Sequence, residues 1–469
     1  MTTDLFYLSA TQLTGLYRSR QLSPVEVIES VLKRIAAVNP DVNAFCVLDA
    51  EQAMLQAKES ERRWQTNAPL GVLDGIPATV KDLILAKGWP TRRGSLTIDP
   101  NQPWNEDGPP VARMREQGAI ILGKTTTPEF GWKGVTDSAL SGITRNPWNL
   151  ELTPGGSSGG AAVAAALGLG PLHLATDGGG SIRIPAAFCG VFGFKPTWGL
   201  VPVHPHSPAL TLWHQGPITR TVDDAALMQS VIARGDPRDW YQTPMAEIDY
   251  LRELNAGIRG WKIAYSRDLG FAKVDPAVAQ KIESELAVLR DLGATVDLID
   301  LELDDPIAIM RPMWAVALAL AVEPMPPEKR ALVEAAMLEL AEPGFALSAL
   351  DYRRLERDRE ALGRRMNNLH AEYDLLITPQ MPITAFQAGH EVPPGGTRQR
   401  WWEWSPFTYP FNLTQQPTAT VPCGFVDGLP VAMQFVGAKF ADAKVLRAAK
   451  AFESVRPFVM PADALHAVA

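Results

Sequence analysis

The chain has 469 residues, of which 46% are hydrophobic and 20% are charged. This composition is that of a folded globular protein with enough length for a large core, and it excludes an intrinsically disordered chain. The formal net charge of −8 and the pI near 5.5 argue against a nucleic acid or an anionic membrane surface as the main partner. We therefore expect the partner to be a small molecule.

Three cysteines, Cys46, Cys189 and Cys423, occur without a metal-ligand spacing. Such a sparse, odd set predicts neither disulfides nor a zinc site and is typical of buried thiols in a reducing compartment. The first residues lack the basic and apolar regions of a secretion signal, and no apolar run is long enough for a membrane span. We expect a cytoplasmic protein that does not bind membranes. The oligomeric state stays open, with a homodimer as one option.

The N-terminal segment has the pattern of three capped helices. Ser9 is placed to cap a helix that runs to about Arg18, and Ser23-Pro-Val-Glu26 is a capping box with proline at the first helical position. Asp49 is placed to cap a third helix that ends near Trp64.

A lysine follows next, inside a predicted strand. The short apolar run from Ala78 ends at Lys81, and Asp82 follows it. Lysines are seldom fully buried unless they form an ion pair or have a functional role, so Lys81 is a candidate base. The alternative is a lysine at the edge of a strand that reaches solvent.

Gly118 to Thr125 formally matches the phosphate-binding loop pattern G-x-x-x-x-G-K-[ST]. The intervening residues are a β-branched apolar run, however, which predicts a strand where that motif needs a flexible loop. We do not expect nucleotide binding.

Two glycine-rich turns carry serines. Gly155 to Gly160 contains Ser157 and Ser158, and Thr176-Asp-Gly-Gly-Gly-Ser-Ile-Arg183 places Ser181 directly after three glycines. Backbone N–H groups that surround a hydroxyl in this way can form an oxyanion hole, so Ser181 is a candidate nucleophile. The predicted helix and strand between the turns can return to one sheet edge, which would bring Ser157 or Ser158 near Ser181.

The second half of the chain predicts an α/β protein. A strand from Gly260 to Tyr265, a helix from about Pro276 to Leu292 and a strand from Ala294 form a crossover unit, and residues 305 to 372 have a mainly helical pattern. Farther on, Trp401, Trp402 and Trp404 either wall an apolar pocket or anchor a loop on the core.

With these motifs, the sequence resembles the amidase signature family of serine hydrolases. The resemblance covers nearly the whole chain, and its most specific stretches are Pro154-Gly-Gly-Ser-Ser-Gly-Gly160, Thr176-Asp-Gly-Gly-Gly-Ser-Ile-Arg-Ile-Pro-Ala186, Cys189-Gly-Val-Phe-Gly-Phe-Lys-Pro-Thr197 and Asp74-Gly-Ile-Pro77 through Lys81-Asp82. It implies an α/β fold with a large mixed β-sheet surrounded by α-helices, and no metal or organic cofactor. It also implies one domain over residues 1–469, with N-terminal helices at 1–65, a signature core at about 66–245 and a variable substrate-pocket region at about 300–410.

The resemblance assigns a role to each candidate site residue. It implies a Ser-Ser-Lys triad with Ser181 as nucleophile, Ser157 as a bridging serine that follows a cis peptide bond, and Lys81 as base. The backbone of Ser181 and three glycines would bind the oxyanion, and Ser158 would join them in substrate binding; the glycines are Gly178, Gly179 and Gly180.

The implied activity is hydrolysis of a small amide, anilide or carbamate, with esters as further substrates, to an acid plus an amine or ammonia. The tryptophan-rich segment after Gln399 favours an apolar substrate. Two alternatives stay open: the glutaminase subunit of an amidotransferase, and a non-catalytic scaffold or binding protein. Leu212-Trp-His-Gln-Gly-Pro217 departs from the sequence common in the amidotransferase subunit, which disfavours that role. Gly178 replaces the threonine that is more usual in the family, and we expect it to loosen or open the oxyanion turn.

Overall fold

Among the described residues, eleven strands form one mixed sheet, and helices pack against it. The structure is a computed structural model, and it describes residues 4–243 and 247–461. The strands are β1 Phe45–Leu48, β2 Pro77–Lys81, β3 Ile120–Thr125, β4 Asp137–Ser138, β5 Gly142–Ile143, β6 Leu172–Asp177, β7 Phe192–Lys195, β8 His214–Thr219, β9 Lys262–Tyr265, β10 Thr295–Leu298, β11 Leu375–Pro379, β12 Thr418–Val426 and β13 Leu429–Gly437.

Fourteen α-helices lie within the described residues. They are α1 Ala10–Arg18, α2 Pro24–Val42, α3 Ala50–Gln65, α4 Pro109–Glu116, α5 Gly159–Ala166, α6 Arg183–Cys189, α7 Val222–Ile232, α8 Pro276–Asp291, α9 Ile307–Val322, α10 Pro327–Arg330, α11 Ala335–Ala346, α12 Ala349–Glu372, α13 Pro410–Leu413 and α14 Asp442–Val455. Short 3₁₀ turns occur at Leu5–Tyr7, Glu129–Gly131, Leu210–Leu212 and Trp401–Trp404.

The predicted N-terminal caps are confirmed. The side chains of Ser9, Ser23 and Asp49 each accept a hydrogen bond from the backbone N–H three residues later, at the starts of α1, α2 and α3. These caps satisfy N–H groups that the first turn of a helix leaves unpaired, which is why short-range sequence signals located them.

The order of strands in the large sheet is β1-β3-β2-β6-β8-β7-β12-β13-β11-β9-β10. The predicted crossover unit is confirmed, because β9 and β10 pair in parallel and α8 lies between them in sequence. The apparent phosphate-binding loop is the buried strand β3, as expected, and Lys124 Nζ at its end forms an ion pair with Asp82 at 2.9 Å.

The sheet brings the two candidate site strands side by side. Strand β2 pairs in parallel with β6, with Val80 opposite Leu174, so the carboxyl ends of both strands meet at one edge. Helix α5 precedes β6, and it contains only glycine, alanine and valine, all of them buried. Its small side chains let it pack closely on the sheet, and the turn before it therefore lies close to that edge.

No α-helix in the described ranges combines the length and apolar character needed to cross a bilayer.

Candidate active site

Lys81, the last residue of β2, is completely buried at the edge where β2 and β6 end. Its Nζ lies 2.7 Å from Ser157 Oγ, 2.8 Å from Ser158 Oγ and 2.9 Å from Thr176 Oγ1. The structure therefore joins Lys81 to both serines of the first glycine-rich turn. The alternative of a strand-edge lysine that reaches solvent is wrong.

Burial favours the neutral form of this lysine. Removal from water lowers the pKa of Lys81 well below its ordinary value, and the negative charge of Asp177 only partly opposes this effect. A neutral amine has two N–H donors and one lone pair, so one of the three hydroxyl groups must donate to Nζ.

The hydroxyl proton of Ser158 is already used, because Ser158 Oγ donates to the backbone carbonyl of Thr176 at 3.1 Å. Ser158 must therefore accept from Lys81, which leaves Ser157 and Thr176 as the hydroxyls free to donate to a neutral Nζ. Thr176 was not singled out from the sequence, although it lies inside the motif that contains Ser181.

The two glycine-rich turns meet, as their order in the chain predicts. The backbone N–H of Ser158 donates to the carbonyl of Ser181 at 3.1 Å, and the peptide bond between Gly156 and Ser157 is cis. Ser181 is 8% exposed, whereas Ser157 is 1% exposed. Of the two hydroxyls, Ser181 is thus the one that a substrate reaches more easily.

A buried carboxylate holds the second turn in shape. The two oxygens of Asp177 accept the backbone N–H groups of Gly180 at 2.8 Å and Ile182 at 3.1 Å. Arg183 donates to the same carboxylate through Nε and Nη2, each at 2.9 Å. Burial by itself would raise the pKa of Asp177, but the guanidinium of Arg183 holds it well below its ordinary value.

This network changes the expected role of Gly180, whose N–H is occupied by Asp177. Within the described residues, the backbone N–H groups of Gly178, Gly179 and Ser181 have no hydrogen-bond partner, so these three stay available to an oxyanion. Ser158 is fully buried, and its Oγ lies 2.8 Å from Lys81 Nζ.

Tryptophan side chains close the space beside the glycines. A Cβ built on Gly178 would lie 3.1 Å from Trp314 Cζ3, and one built on Gly179 would lie 2.6 Å from Trp401 Cη2. The turn is therefore not open at Gly178, because the ring of Trp314 borders the place of the missing side chain. That Gly178 loosens the turn stays a prediction from the sequence.

The tryptophan cluster of residues 401–404 packs on the core next to the oxyanion turn. All three indoles are buried, and the ring of Trp404 stacks on Phe188 with centroids 5.9 Å apart. Trp401 contacts the oxyanion turn, but none of the three lines the cavity described next. Both alternatives from the sequence have support, because Trp404 packs on the core and Trp402 lines two further cavities beside α9.

A cavity of about 770 Å³, open to solvent, lies next to the turn. Its lining is mostly apolar and comes mainly from three segments of the chain: residues 83–85, residues 204–215 and helix α9. Arg93 and Phe130 complete the lining. Trp314 and Trp213 border both this cavity and the position of Gly178. We call it the apolar cavity.

The other end of the apolar cavity lies close to Ser157. Leu83 lines the cavity, and a Cβ built on Gly131 would lie 2.7 Å from Leu83 Cδ1 and 3.1 Å from Ser157 Oγ. Leu83 thus lies between the cavity and the region of Ser157, as Trp213 and Trp314 lie between the cavity and the glycine turn. Neither Trp213 nor Trp314 was predicted to line a pocket, since their approach to the turn depends on long-range packing.

Comparison with known proteins agrees with this geometry. A family model described as amidase matches residues 26–446. An acylamidase of Rhodococcus erythropolis is 37% identical over 472 residues, which cover 98% of both chains. One of the subunits of the glutamyl-tRNA(Gln) amidotransferase of Chloroflexus aggregans is 34% identical over 480 residues, which cover 97% of both chains.

A solved structure of similar fold is that of a bacterial aryl acylamidase of the amidase signature family. It superposes with a TM-score of 0.90 at 31% identity, and the match covers 96% of this chain and 97% of the other. The predicted fold, a large mixed sheet surrounded by helices, is confirmed. From the family model, the sequence relatives and this superposition, the chain belongs to the amidase family and is a hydrolase that acts on amides.

Proposed function

We propose that the protein hydrolyses small, apolar amides and anilides through an acyl-enzyme on Ser181, with Ser157 and Lys81 as the other members of a Ser-Ser-Lys triad. The observation that carries this proposal is the buried Nζ of Lys81, 2.7 Å from Ser157 Oγ at an edge that also holds Ser181. A serine hydroxyl is a weak nucleophile and needs a base, and a desolvated lysine is neutral enough to act as one.

The first half of the reaction forms the acyl-enzyme. Lys81 takes the proton of Ser157 as Ser157 takes the proton of Ser181, and Ser181 Oγ attacks the carbonyl carbon of the substrate. The N–H groups of Gly178, Gly179 and Ser181 bind the oxygen that becomes negative. The proton then returns through Ser157 to the leaving nitrogen as the C–N bond breaks.

The second half releases the acid. Water gives a proton to the same relay and attacks the acyl carbon, the bond to Ser181 Oγ breaks, and Ser181 recovers its proton. A carbamate substrate would release a carbamic acid by the same steps, and an ester would release an alcohol. The shared relay supports activity on all three classes, with differences in rate set by the leaving group and the fit in the site.

The apolar cavity supports the preference for apolar substrates. A site lined mainly by aliphatic and aromatic side chains favours ligands that bury apolar surface. The similarity to an acylamidase and to an aryl acylamidase agrees with an anilide as substrate. We place carbamates after anilides, because the similar proteins include an acylamidase and an aryl acylamidase.

The decisive experiment combines labelling with kinetics. An aryl sulfonyl fluoride should label Ser181, and Ser181→Ala should lose both labelling and hydrolysis across a panel of amides, anilides, carbamates and esters. Unchanged hydrolysis by Ser181→Ala would disprove the mechanism. If the natural protein is neither labelled nor active on the panel, the scaffold or binding role is favoured.

The relation to the amidotransferase supplies the second candidate function. That role requires release of glutamate from glutamine, so glutamine should be assayed beside the anilides. Turnover of anilides without a partner protein and inactivity towards glutamine would support the stand-alone hydrolase. The cytoplasmic location, the homodimer and the division into three regions stay predictions from the sequence.

A further inference from the structure

The apolar cavity has among its lining residues a buried amide oxygen that lacks a partner. Gln215, in β8, is 5% exposed, and its Oε1 is buried without a hydrogen bond to any described residue. Gln215 lines the apolar cavity and also a smaller neighbouring one. Buried amide oxygens are normally paired, so an unpaired one that borders a cavity indicates a missing donor.

The strand register places Gln215 beside the lysine. Strands β6 and β8 are antiparallel, and Gln215 lies directly opposite Thr176. Side chains of directly opposed residues in an antiparallel pair project on the same face, with Cβ atoms about 4.5–5.5 Å apart. Since Thr176 Oγ1 lies 2.9 Å from Lys81 Nζ, Gln215 flanks the end of the cavity where the chemistry is proposed.

Within the described residues no neighbour donates a hydrogen bond to Gln215 Oε1, although Arg93 and Ser207 line the same cavity. Trp213, Trp314 and Leu318 present apolar surface to the same cavity. The cavity's other polar lining residues include His204 and His206, whose Nε2 atoms lie 3.4 Å from Glu106 and 3.0 Å from Asp239. The N–H of a bound substrate is therefore a donor that this cavity can bring to Gln215.

We propose that Gln215 is a substrate-binding residue whose Oε1 accepts the N–H of the amide that is cleaved, so that the site selects amides over esters of the same shape. An ester places an oxygen with lone pairs where the amide has its N–H, and that oxygen cannot donate. The inference rests on the proposed function and names the chemical feature of the substrate that the cavity recognises.

The test compares an anilide with an aryl ester that shares its acyl group and its ring. Gln215→Met keeps the length of the side chain and removes the acceptor. We expect it to lower kcat/KM for the anilide about tenfold, the effect of one lost hydrogen bond, and to leave kcat/KM for the ester within about twofold. An N-methyl anilide, which has no N–H, should behave like the ester.

Gln229→Met is the matched control, because Gln229 is buried in α7 and lines neither cavity. It should leave both substrates unchanged. If Gln215→Met does not fold, Gln215→Asn keeps an amide but withdraws it from the cavity, and it should show the same selective loss on the anilide.

Equal losses on the anilide and the ester, or no loss on either, would overturn the proposal. The Ser181→Ala measurement separates this outcome from a failure of the proposed function. If Ser181→Ala abolishes hydrolysis but Gln215→Met affects the anilide and the ester equally, the role of Gln215 is disproved. The proposed mechanism would still hold.

Discussion

Asp177 and Arg183 form an ion pair in which neither side chain has any exposed surface. The remaining donors of Arg183 reach the carbonyl of Thr408 at 2.9 Å, Gln434 Oε1 at 2.8 Å and Asn412 Oδ1 at 2.6 Å. The pair thus connects the turn that carries Ser181 to a part of the chain more than two hundred residues away. The shape of the proposed oxyanion hole depends on this connection.

Arg183→Met should destabilise the protein strongly, because it leaves the carboxylate of Asp177 buried without its partner. A loss of about 3–5 kcal/mol in the free energy of unfolding is expected, measured by urea denaturation. Arg364→Met is the control, since Arg364 is 72% exposed beside Glu360 and its loss should cost less than about 1 kcal/mol. Similar losses in both variants would contradict the assigned role of the pair.

Lys81 should give the reaction its pH dependence. Because burial lowers the pKa of Lys81 well below its ordinary value, kcat/KM should rise with pH as the amine loses its proton and level off above that lowered pKa. Lys81→Ala should lose about 10²–10⁴-fold in rate and regain part of it at high pH.

Lys81→Arg serves as the comparison for that experiment. It keeps a positive charge, yet a guanidinium does not release its proton, so the variant should be as inactive as Lys81→Ala. A flat pH profile of the natural protein, or activity in Lys81→Arg, would rule out a lysine base.

The contact between Gly178 and Trp314 should limit which residues the turn accepts. A leucine at position 178 would collide with the indole, so Gly178→Leu should reduce kcat/KM on anilides at least tenfold. Trp314→Ala clears the ring, and the double variant should recover part of the loss. Additive effects of the two changes in a double-mutant cycle would show that the two side chains do not compete for space.

His173 should make the fold sensitive to acid. It is buried in β6 between Thr79 Oγ1 at 2.8 Å and the carbonyl of Gly170 at 3.0 Å. Burial lowers the pKa of His173 to about 3, whereas the unfolded chain binds the proton near the ordinary value of 6.5. The stability that depends on the neutral ring is therefore complete above pH 6.5 and falls as the pH drops towards 3.

His173→Gln should remove this part of the pH dependence. From the pKa shift, the free energy of unfolding of the natural protein should fall by about 2 kcal/mol more than that of the variant between pH 7 and pH 5, as measured by urea denaturation at both pH values. His390→Gln is the control, because His390 is exposed. Its free energy of unfolding should fall between pH 7 and pH 5 by as much as that of the natural protein. An unchanged difference in His173→Gln would contradict a neutral buried ring.

Local signals in the sequence predicted much of this structure. The caps at Ser9, Ser23 and Asp49 depend on atoms three residues apart, and the β-branched run before Thr125 correctly predicted a strand. The meeting of the two serine-bearing turns followed from one helix and one strand between them. Each of these inferences needs only neighbouring residues and simple rules of chain geometry.

Contacts between distant segments were beyond the reach of such signals. The N–H of Gly180 is occupied because the carboxylate of Asp177 folds back onto its own loop. Hydrogen bonds from Arg183 and Asn412 help to hold the carboxylate in this orientation. The indole of Trp314 reaches Gly178 from α9, more than a hundred residues later in the chain. Side-chain orientation of this kind depends on the packing of the complete fold.

The walls of the apolar cavity and the surroundings of Lys81 come from different parts of the chain. Strands β2 and β6 and the turn at residues 157–158 hold the amine, whereas α9 and residues 204–215 supply most of the walls. A substitution in α9 can therefore change which molecules fit without disturbing the path of the proton. Evolution can exchange the substrate of such a protein in a few steps and keep its chemistry, and a directed-evolution library restricted to the cavity-facing side of α9 would exploit the same separation.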